Sequence, residues 1–299
     1  MRIVNLIEDT AGAGGCAFAH GLSFYIETAG HRALMDLGPG RTTLENAAAL
    51  GIDLRAVDTV VLSHGHYDHS GGIMPFAEIN DRAAIYMQAG ADGEYYADDG
   101  ETAVGGCAAE NGSNGSAAGD RAAMACSRYR YIGIDHAIMG LPQVKLLRGD
   151  YVIDEELEVF TVKSRTHALP STSSRLLVKR GNGFVCDGFE HEHFLVVHEG
   201  GRNVLLSGCA HNGILSILDA YKEKYDDQPD AVISGFHLMK KSGYTSDEIA
   251  EIRGIASELK QFRTKFYTCH CTGIEAYEGM KQIMGEQLRY VHSGDEICL

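Results

Sequence analysis

One stretch near residue 60 limits what this chain can fold into more than any other. Residues 59–62 are apolar or β-branched, which is typical of a buried strand. Three histidines and one aspartate follow at once, in the run His64-Gly65-His66-Tyr67-Asp68-His69. Imidazole and carboxylate groups are ligands that borderline divalent metals such as Zn²⁺ prefer. The end of this strand therefore predicts a metal site.

The spacing within the run indicates how the ligands are divided between two ions. His64 and His66 lie two residues apart, so in extended geometry they point the same way and can bind one ion. Asp68 and His69 follow where the chain turns into a predicted helix, and they can bind a second ion. The alternative is a polar loop with incidental histidines. Buried histidine and aspartate need partners, so this density favours the metal site.

The run His64-Gly65-His66-Tyr67-Asp68-His69, after an apolar strand and before Gly71-Gly72, resembles the signature of the metallo-β-lactamase superfamily. The resemblance implies an α/β fold, a four-layer αββα sandwich. It also implies one or two metal ions at the end of the sheets, usually zinc, iron or manganese.

Composition limits the partners and the compartment. The 299 residues carry a formal charge of −15, whereas a protein that binds a phosphate backbone needs a basic surface. The eight cysteines are irregularly spaced, and neither a signal peptide nor a membrane-length apolar run is seen. We expect a cytoplasmic protein with a small-molecule substrate and with neither nucleic acid nor membrane as partner. Its oligomeric state is left open.

The chain shows no linker between independent halves, so we predict one domain over residues 1–299. Residues 88–127 are rich in Gly, Ala, Asn, Ser and acidic residues, which predicts an irregular insertion. Further along, residues 144–147, 151–153 and 157–162 are predicted strands of the second sheet.

Histidines recur at the ends of the later predicted strands, at His211, His237 and His270. Neighbouring strand ends of an α/β sandwich lie side by side, so this recurrence favours one shared site. In the superfamily an acidic ligand that bridges the metals follows the strand that here ends before Gly208. Cys209 occupies that position and is a candidate ligand, because a thiolate binds metal. His191 is a further candidate.

Two residues in the first part of the chain have two interpretations each. Asp36, in the strand-end sequence Asp36-Leu37-Gly38, could orient a metal-bound histidine or belong to an ordinary turn. His20 precedes a predicted strand, where it could face the substrate or have a structural role.

Further motifs narrow the resemblance to one branch of the superfamily, the methanopterin-pathway dihydropterin synthase-like proteins. These motifs are Asn46, His20-Gly21-Leu22-Ser23, Gly208-Cys209-Ala210-His211-Asn212-Gly213-Ile214, Ser234-Gly235-Phe236-His237-Leu238 and Cys269-His270-Cys271-Thr272-Gly273. The activity for which the branch is named joins a dihydropterin to a ribofuranosylaminobenzene phosphate.

We predict a hydrolase with two divalent ions, zinc first and iron or manganese as alternatives. The ions would lower the pKa of a bridging water and polarise the substrate. Asp68 would orient that water, and His237 would face the substrate or donate a proton. Two other classes stay open: a transferase with Arg128 or Arg130 on a phosphate, and a redox di-iron or non-catalytic metal protein. The predicted ligands are His64, His66 and His211 for one ion, and Asp68, His69 and His270 for the other.

Overall fold

The computed structural model describes residues 1–12, 14–100 and 128–299, and its strands are numbered here in chain order. One seven-stranded sheet contains strands from the first half of the chain and the last strand. Its members are β1 (Arg2–Ile7), β2 (Ser23–Glu27), β3 (Arg32–Met35), β4 (Thr59–Val61), β5 (Ala84–Gln88), β8 (Val144–Leu147) and β18 (Glu296–Cys298), in the order β18-β1-β2-β3-β4-β5-β8.

A second seven-stranded sheet is built from the rest of the chain. Its members are β9 (Tyr151–Val152), β10 (Leu157–Phe160), β13 (Phe194–Glu199), β14 (Arg202–Leu206), β15 (Ala231–Ser234), β16 (Lys265–Thr268) and β17 (Leu288–Tyr290). They lie in the order β17-β16-β15-β14-β13-β10-β9. The prediction that residues 144–147 belong here is wrong, since β8 pairs in parallel with β5 of the first sheet. Strand order is set by long-range pairing, which local sequence patterns do not record.

A four-stranded antiparallel sheet contains the described beginning of the predicted insertion. Its strands are β6 (Tyr95–Asp98), β7 (Tyr129–Tyr131), β11 (Leu176–Arg180) and β12 (Gly183–Cys186), in the order β12-β11-β6-β7. The prediction of irregular structure is therefore wrong for residues 95–98. Buried Tyr95 and Ala97 pack with Leu176 and Val178, and alternation over so few residues gives little signal in the sequence. Residues 101–127 of the segment lie outside the described residues.

Five of the described helices cover the outer faces of the two large sheets: α1 (Arg41–Ala49), α3 (Ile73–Ala77), α4 (Ile214–Tyr225), α5 (Ser246–Leu259) and α6 (Ile274–Met284). The short helix α2 (Tyr67–Ser70) lies in the segment after β4. Within the described ranges, no helix is both long and apolar enough to cross a bilayer.

Alternating side chains of the strands produce the four layers. In β1, Ile3 packs into the core between the sheets, whereas Val4 packs into the core beneath α1 and α3. In β14, Leu206 faces the first sheet and Leu205 faces α4, α5 and α6. This arrangement of helix, sheet, sheet and helix is the predicted αββα sandwich. That residues 1–299 form one domain stays a prediction.

The direction of the strands brings the polar loops together. In the first sheet β3, β4, β5 and β8 are parallel neighbours, and in the second β14, β15, β16 and β17 are. The carboxyl ends of parallel neighbours meet at one edge of a sheet, which is where α/β proteins place their ligands. β1 runs parallel to β3, because both are antiparallel to β2. The loop after β1 therefore joins the same edge.

Candidate metal centre

The loop after β4 is folded tightly enough to aim successive histidines at one point. The amide of His66 donates to the carbonyl of His64 at 3.0 Å, and α2 begins at the next residue. A side chain at position 65 would collide with the carbonyl oxygen of Ala91, so only glycine allows this close approach. His64, His66 and His69 are all buried as a result.

The first group of donors contains His64, His66 and His211, with one ring nitrogen of each within 4.8 Å of the others. The Nε2 atoms of His64 and His211 are 3.2 Å apart. The Nε2 atom of His66 is buried and has no hydrogen-bond partner among the described residues. Burial and then the neighbouring imidazoles lower the pKa of His64 and of His211, and burial lowers the pKa of His66 to about 3. The three imidazoles are therefore neutral at pH 7, the form that binds metal.

The second group surrounds the carboxylate of Asp68. Its Oδ2 atom lies 3.5 Å from Nε2 of His270, 3.7 Å from Nε2 of His69 and 3.4 Å from Nε2 of His20. Burial alone would raise the pKa of Asp68, but the imidazoles of His69, His270 and His20 lower it. The Nε2 atom of His270 is buried without a hydrogen-bond partner in the described part of the chain. The structure thus brings the two predicted ligand sets together, and their unpartnered nitrogens fit a divalent cation.

Asp36 contacts a ligand of the second group directly and a ligand of the first group through Ser63. Its Oδ2 atom accepts a hydrogen bond from Nδ1 of His69 at 2.6 Å and another from the hydroxyl of Ser63 at 2.7 Å. That hydroxyl lies 2.8 Å from Nδ1 of His64. Of the two interpretations of Asp36, the structure shows the contact with a candidate ligand. A carboxylate in this position fixes the imidazole tautomer, so that Nε2 faces the metal.

Two acidic residues after β1 belong to the site, and neither was predicted from the sequence. Asp9 accepts from Nδ1 of His270 at 2.5 Å through one oxygen and from Nδ1 of His20 at 2.8 Å through the other. Glu8 is fully buried and accepts from the backbone N–H of His270 at 2.9 Å. The signal was available, because both acids directly follow an apolar strand, as the histidines do. His20 is about half exposed, so its ring lies between solvent and Asp68.

A third missed acid, Glu192, supports His211. Its buried carboxylate accepts from the backbone N–H groups of His211 at 2.7 Å and Asn212 at 2.8 Å. Burial raises the pKa of Glu192, although these hydrogen bonds oppose the shift. The ring of His211 also stacks on Phe189, with centroids 4.6 Å apart. These contacts fix the direction of His211.

The candidate His191 is positioned as a supporting residue and not as a ligand. Its Nδ1 atom accepts a hydrogen bond from the backbone N–H of Gly65 at 2.9 Å, so the proton must be on Nε2. That Nε2–H donates to Asp187 at 3.0 Å. With both ring nitrogens engaged, His191 has no lone pair for an ion. The sequence does not reveal this, because the partner of Nδ1, Gly65, is 126 residues away along the chain.

Cys209 and His237 lie beside the two groups. The sulfur of Cys209 is 3.2 Å from Nε2 of His69. The ring of His237 is 4.2 Å from that of His211, measured between centroids. Its Nδ1 atom is buried and lacks a hydrogen-bond partner among the described residues. Cys271, which was not predicted as a ligand from the sequence, completes a group with these two residues.

Comparisons with known proteins agree with this geometry. Residues 18–106 match the family model described as the metallo-beta-lactamase superfamily. The 7,8-dihydropterin-6-methyl-4-(beta-D-ribofuranosyl)-aminobenzene-5'-phosphate synthase of Methanocaldococcus jannaschii is 27% identical, over 98% of this chain and 95% of its own. The solved structure of Tm1679, described as a metal-dependent hydrolase of the beta-lactamase superfamily, is 25% identical with a TM-score of 0.76. That alignment covers 100% of this chain and 99% of the other.

A more distant solved structure shows the same fold. Zn(2+)-bound PqqB from Methylobacterium extorquens is 15% identical with a TM-score of 0.53, and the alignment covers 100% of both chains. The superfamily typically binds divalent metals, and the described residues include several groups that could hold them. By its family match over residues 18–106, its motif and its fold, the chain resembles the metallo-β-lactamase superfamily.

Proposed function

We propose that this protein is a metal-dependent hydrolase acting on a small substrate of phosphorylated or pterin-like type. The convergence of six side chains carries the proposal: His64, His66 and His211 on one side, and Asp68, His69 and His270 on the other. Two divalent ions, with zinc as the preferred metal, would act as Lewis acids on a water molecule and a substrate oxygen at this position.

The protein's own groups have separate tasks in this proposal. The lowered pKa of Asp68 keeps its carboxylate ionised at neutral pH, so it can accept a hydrogen bond from the attacking water. His20, about half exposed and 3.4 Å from Asp68, gives a proton a path from this carboxylate to solvent. Asp9 holds the ring of His20 in that direction. His237 as a proton donor or substrate-facing group stays a prediction.

The experiment combines metal analysis with a substrate panel. Purified protein would be stripped with a chelator, reloaded with zinc, iron or manganese, and assayed on phosphodiesters, lactones and β-lactams. We expect activity on one class that is lost in the stripped protein and restored by one metal. His64→Ala should lose that activity together with bound metal, whereas His136→Asn, an exposed histidine outside the site, should keep both. Full activity and metal content in His64→Ala would contradict the proposal.

The synthase is the second candidate, because one observation favours it. The relative of that name aligns along almost the whole chain, at 27% identity. Arg130 could bind the phosphate of such a substrate only in competition with Asp99, which its guanidinium contacts at 2.9 Å. The metal-loaded protein would be incubated with a dihydropterin and a ribofuranosylaminobenzene phosphate. Joined product without hydrolysis of any panel substrate would establish the synthase instead of the hydrolase.

The third class, a redox di-iron or non-catalytic metal protein, has its own signature. Such a protein would purify with iron, change its visible spectrum on reduction and turn over none of these substrates.

A further inference from the structure

A further set of metal-binding side chains lies next to the centre described above. Cys209, His237 and Cys271 follow β14, β15 and β16, three neighbouring parallel strands. One donor atom from each lies within 4.8 Å of the other two. Both cysteines are buried, at 3% and 5% exposure. Three successive strand ends thus deliver two sulfurs and one imidazole to the same place.

Backbone hydrogen bonds hold these loops in position. The amide of Gly235 donates to the carbonyl of Gly208 at 2.9 Å, which joins the loops after β15 and β14. The amides of Leu238 and Met239 donate to the carbonyl of Cys271, at 2.9 and 2.8 Å, which joins the loops after β15 and β16. The donors are therefore carried by a fixed framework, as a binding site requires.

The backbone also makes room for a sulfur atom. A Cβ atom at position 235 would lie 2.5 Å from Sγ of Cys271, so the glycine leaves the space that this sulfur occupies. His237 has a left-handed backbone with φ of 50°, which is uncommon for a residue other than glycine and is held here by its surroundings. Its buried, unpartnered Nδ1 is costly in a folded protein unless something binds it.

We propose that Cys209, His237 and Cys271 bind a third metal ion, and that this ion is zinc. Two thiolates and an imidazole are a donor set that zinc prefers, with a fourth position left open. Donor atoms around tetrahedral zinc are about 3.5–3.8 Å apart, so a group whose donor atoms lie within 4.8 Å of one another needs side-chain movements of about 1 Å at most. The proposal goes beyond the proposed function, because neither His237 nor Cys271 belongs to the two ligand sets on which that function rests.

The position of Cys209 connects this site with the other two. Its sulfur is 3.2 Å from Nε2 of His69 and is also within the group formed with His237 and Cys271. One thiolate can therefore contact ions on both sides. A histidine that binds metal through one nitrogen keeps a proton on the other, so His237 can be a ligand and still donate a hydrogen bond.

The first test counts metal ions. Full-length protein kept reduced would be stripped with a chelator, dialysed against zinc and measured by mass spectrometry of the metal. We expect three zinc ions per wild-type chain and two in Cys271→Ala. Cys269→Ala is the matched control, because Cys269 is also buried and lies two residues away but packs in the core between the sheets. It should keep three.

The second test uses the wild-type protein alone, so it does not depend on the folding of a variant. Cobalt(II) would be titrated into stripped protein while thiolate-to-cobalt absorption in the near ultraviolet is recorded. We expect this absorption to rise until the third equivalent is bound. In Cys271→Ala it should be about twofold lower, because one of two thiolates is lost.

The outcomes separate this proposal from the proposed function. Two zinc ions in wild type and in Cys271→Ala, with no thiolate absorption from a third equivalent of cobalt, would overturn the third site and leave the binuclear centre intact. Three ions in Cys271→Ala would overturn it as well. Loss of zinc in His64→Ala tests the binuclear centre independently.

Discussion

Asp36 supports ligands of both proposed ions, which makes it the most informative single position outside the ligands themselves. Its carboxylate accepts from Nδ1 of His69 directly and reaches His64 through the hydroxyl of Ser63. Its own backbone is left-handed, with φ of 62°. Ala210, His237 and His270 share that conformation, so several rare backbone geometries gather at the site. The energetic cost of these left-handed conformations is accepted at positions where they direct side chains into the site.

Asp36→Asn should weaken zinc binding without removing a ligand. The amide can still accept from the backbone of Ser63, but its NH₂ group would face the N–H of His69 and turn that ring. We expect zinc affinity to fall by about 10- to 100-fold, the range for losing a carboxylate behind a metal-bound histidine. Competition with a chromophoric chelator would measure this. Asp81→Asn, at an exposed position outside the site, serves as the control; equal affinity in both variants would contradict the role of Asp36.

At the level of elements, α5 begins with a complete capping box. The hydroxyl of Thr245 accepts from the backbone N–H of Glu248, and the carboxylate of Glu248 accepts from the backbone N–H of Thr245. Thr245→Ala should lower the free energy of unfolding by about 1 kcal/mol, measured by urea denaturation. Ser257→Ala, at an exposed position of the same helix, should change it by less than about 0.5 kcal/mol. Zinc affinity should be unchanged in both, and a drop in either would show that α5 is coupled to the site.

The turn between β2 and β3 contacts both large sheets through one histidine. Nδ1 of His31 lies 2.7 Å from Asp58, which precedes β4, and Nε2 lies 2.7 Å from Asp154, which follows β9. Burial would lower the pKa of His31, but these two carboxylates raise it above 6.5. A histidine whose pKa is higher in the folded state stabilises the protein fully below pH 6.5. That contribution to stability is lost as the pH rises through the pKa that the histidine has in the folded state.

His31→Asn should therefore destabilise the protein more at pH 5.5 than at pH 8.5. The difference should be about 1 kcal/mol or less, because the side chains are partly exposed. Urea denaturation at the two pH values would measure it. Asp154→Asn should add little in the His31→Asn background, since both changes break the same contact. A larger effect at pH 8.5 would contradict the assignment.

For the whole molecule, the site unites loops from both large sheets. His64 and His66 follow β4 of the first sheet, whereas His211 follows β14 of the second. An ion bound by both would connect the sheets, so zinc should raise the melting temperature and a chelator should lower it. When free zinc is present at 100 times the dissociation constant, each occupied site adds about 2.7 kcal/mol to the free energy of unfolding. Thermal unfolding with and without zinc would measure the shift. His211→Ala should reduce it and His136→Asn should not; an equal shift in both would show that zinc binds elsewhere.

The local part of this architecture is predictable from the sequence, and the long-range part is not. The motif from His64 to His69 is compact, so spacing and ligand chemistry suffice to indicate a metal site and, by resemblance, the αββα fold. Asp9 directly follows an apolar strand, which is a local signal, but placing it at the site also requires that β1 run parallel to β3, and only the sheet order reveals this. The placement of β8 was wrong for the same reason. For His191, one distant partner decides whether a lone pair is free, because the backbone N–H of Gly65 donates to its Nδ1 atom.

The distance between ligands along the chain has a consequence for synthesis on the ribosome. Asp9 and His270, which touch through a 2.5 Å contact, are 261 residues apart. The early histidines leave the ribosome long before the strands that bring His211 and His270 exist, so the nascent chain offers only a few of the ligands. We therefore expect binding of the proposed ions to be among the last events of maturation. If the proposed ions bind, a cell that produces this protein under metal shortage would accumulate fully translated chains without them.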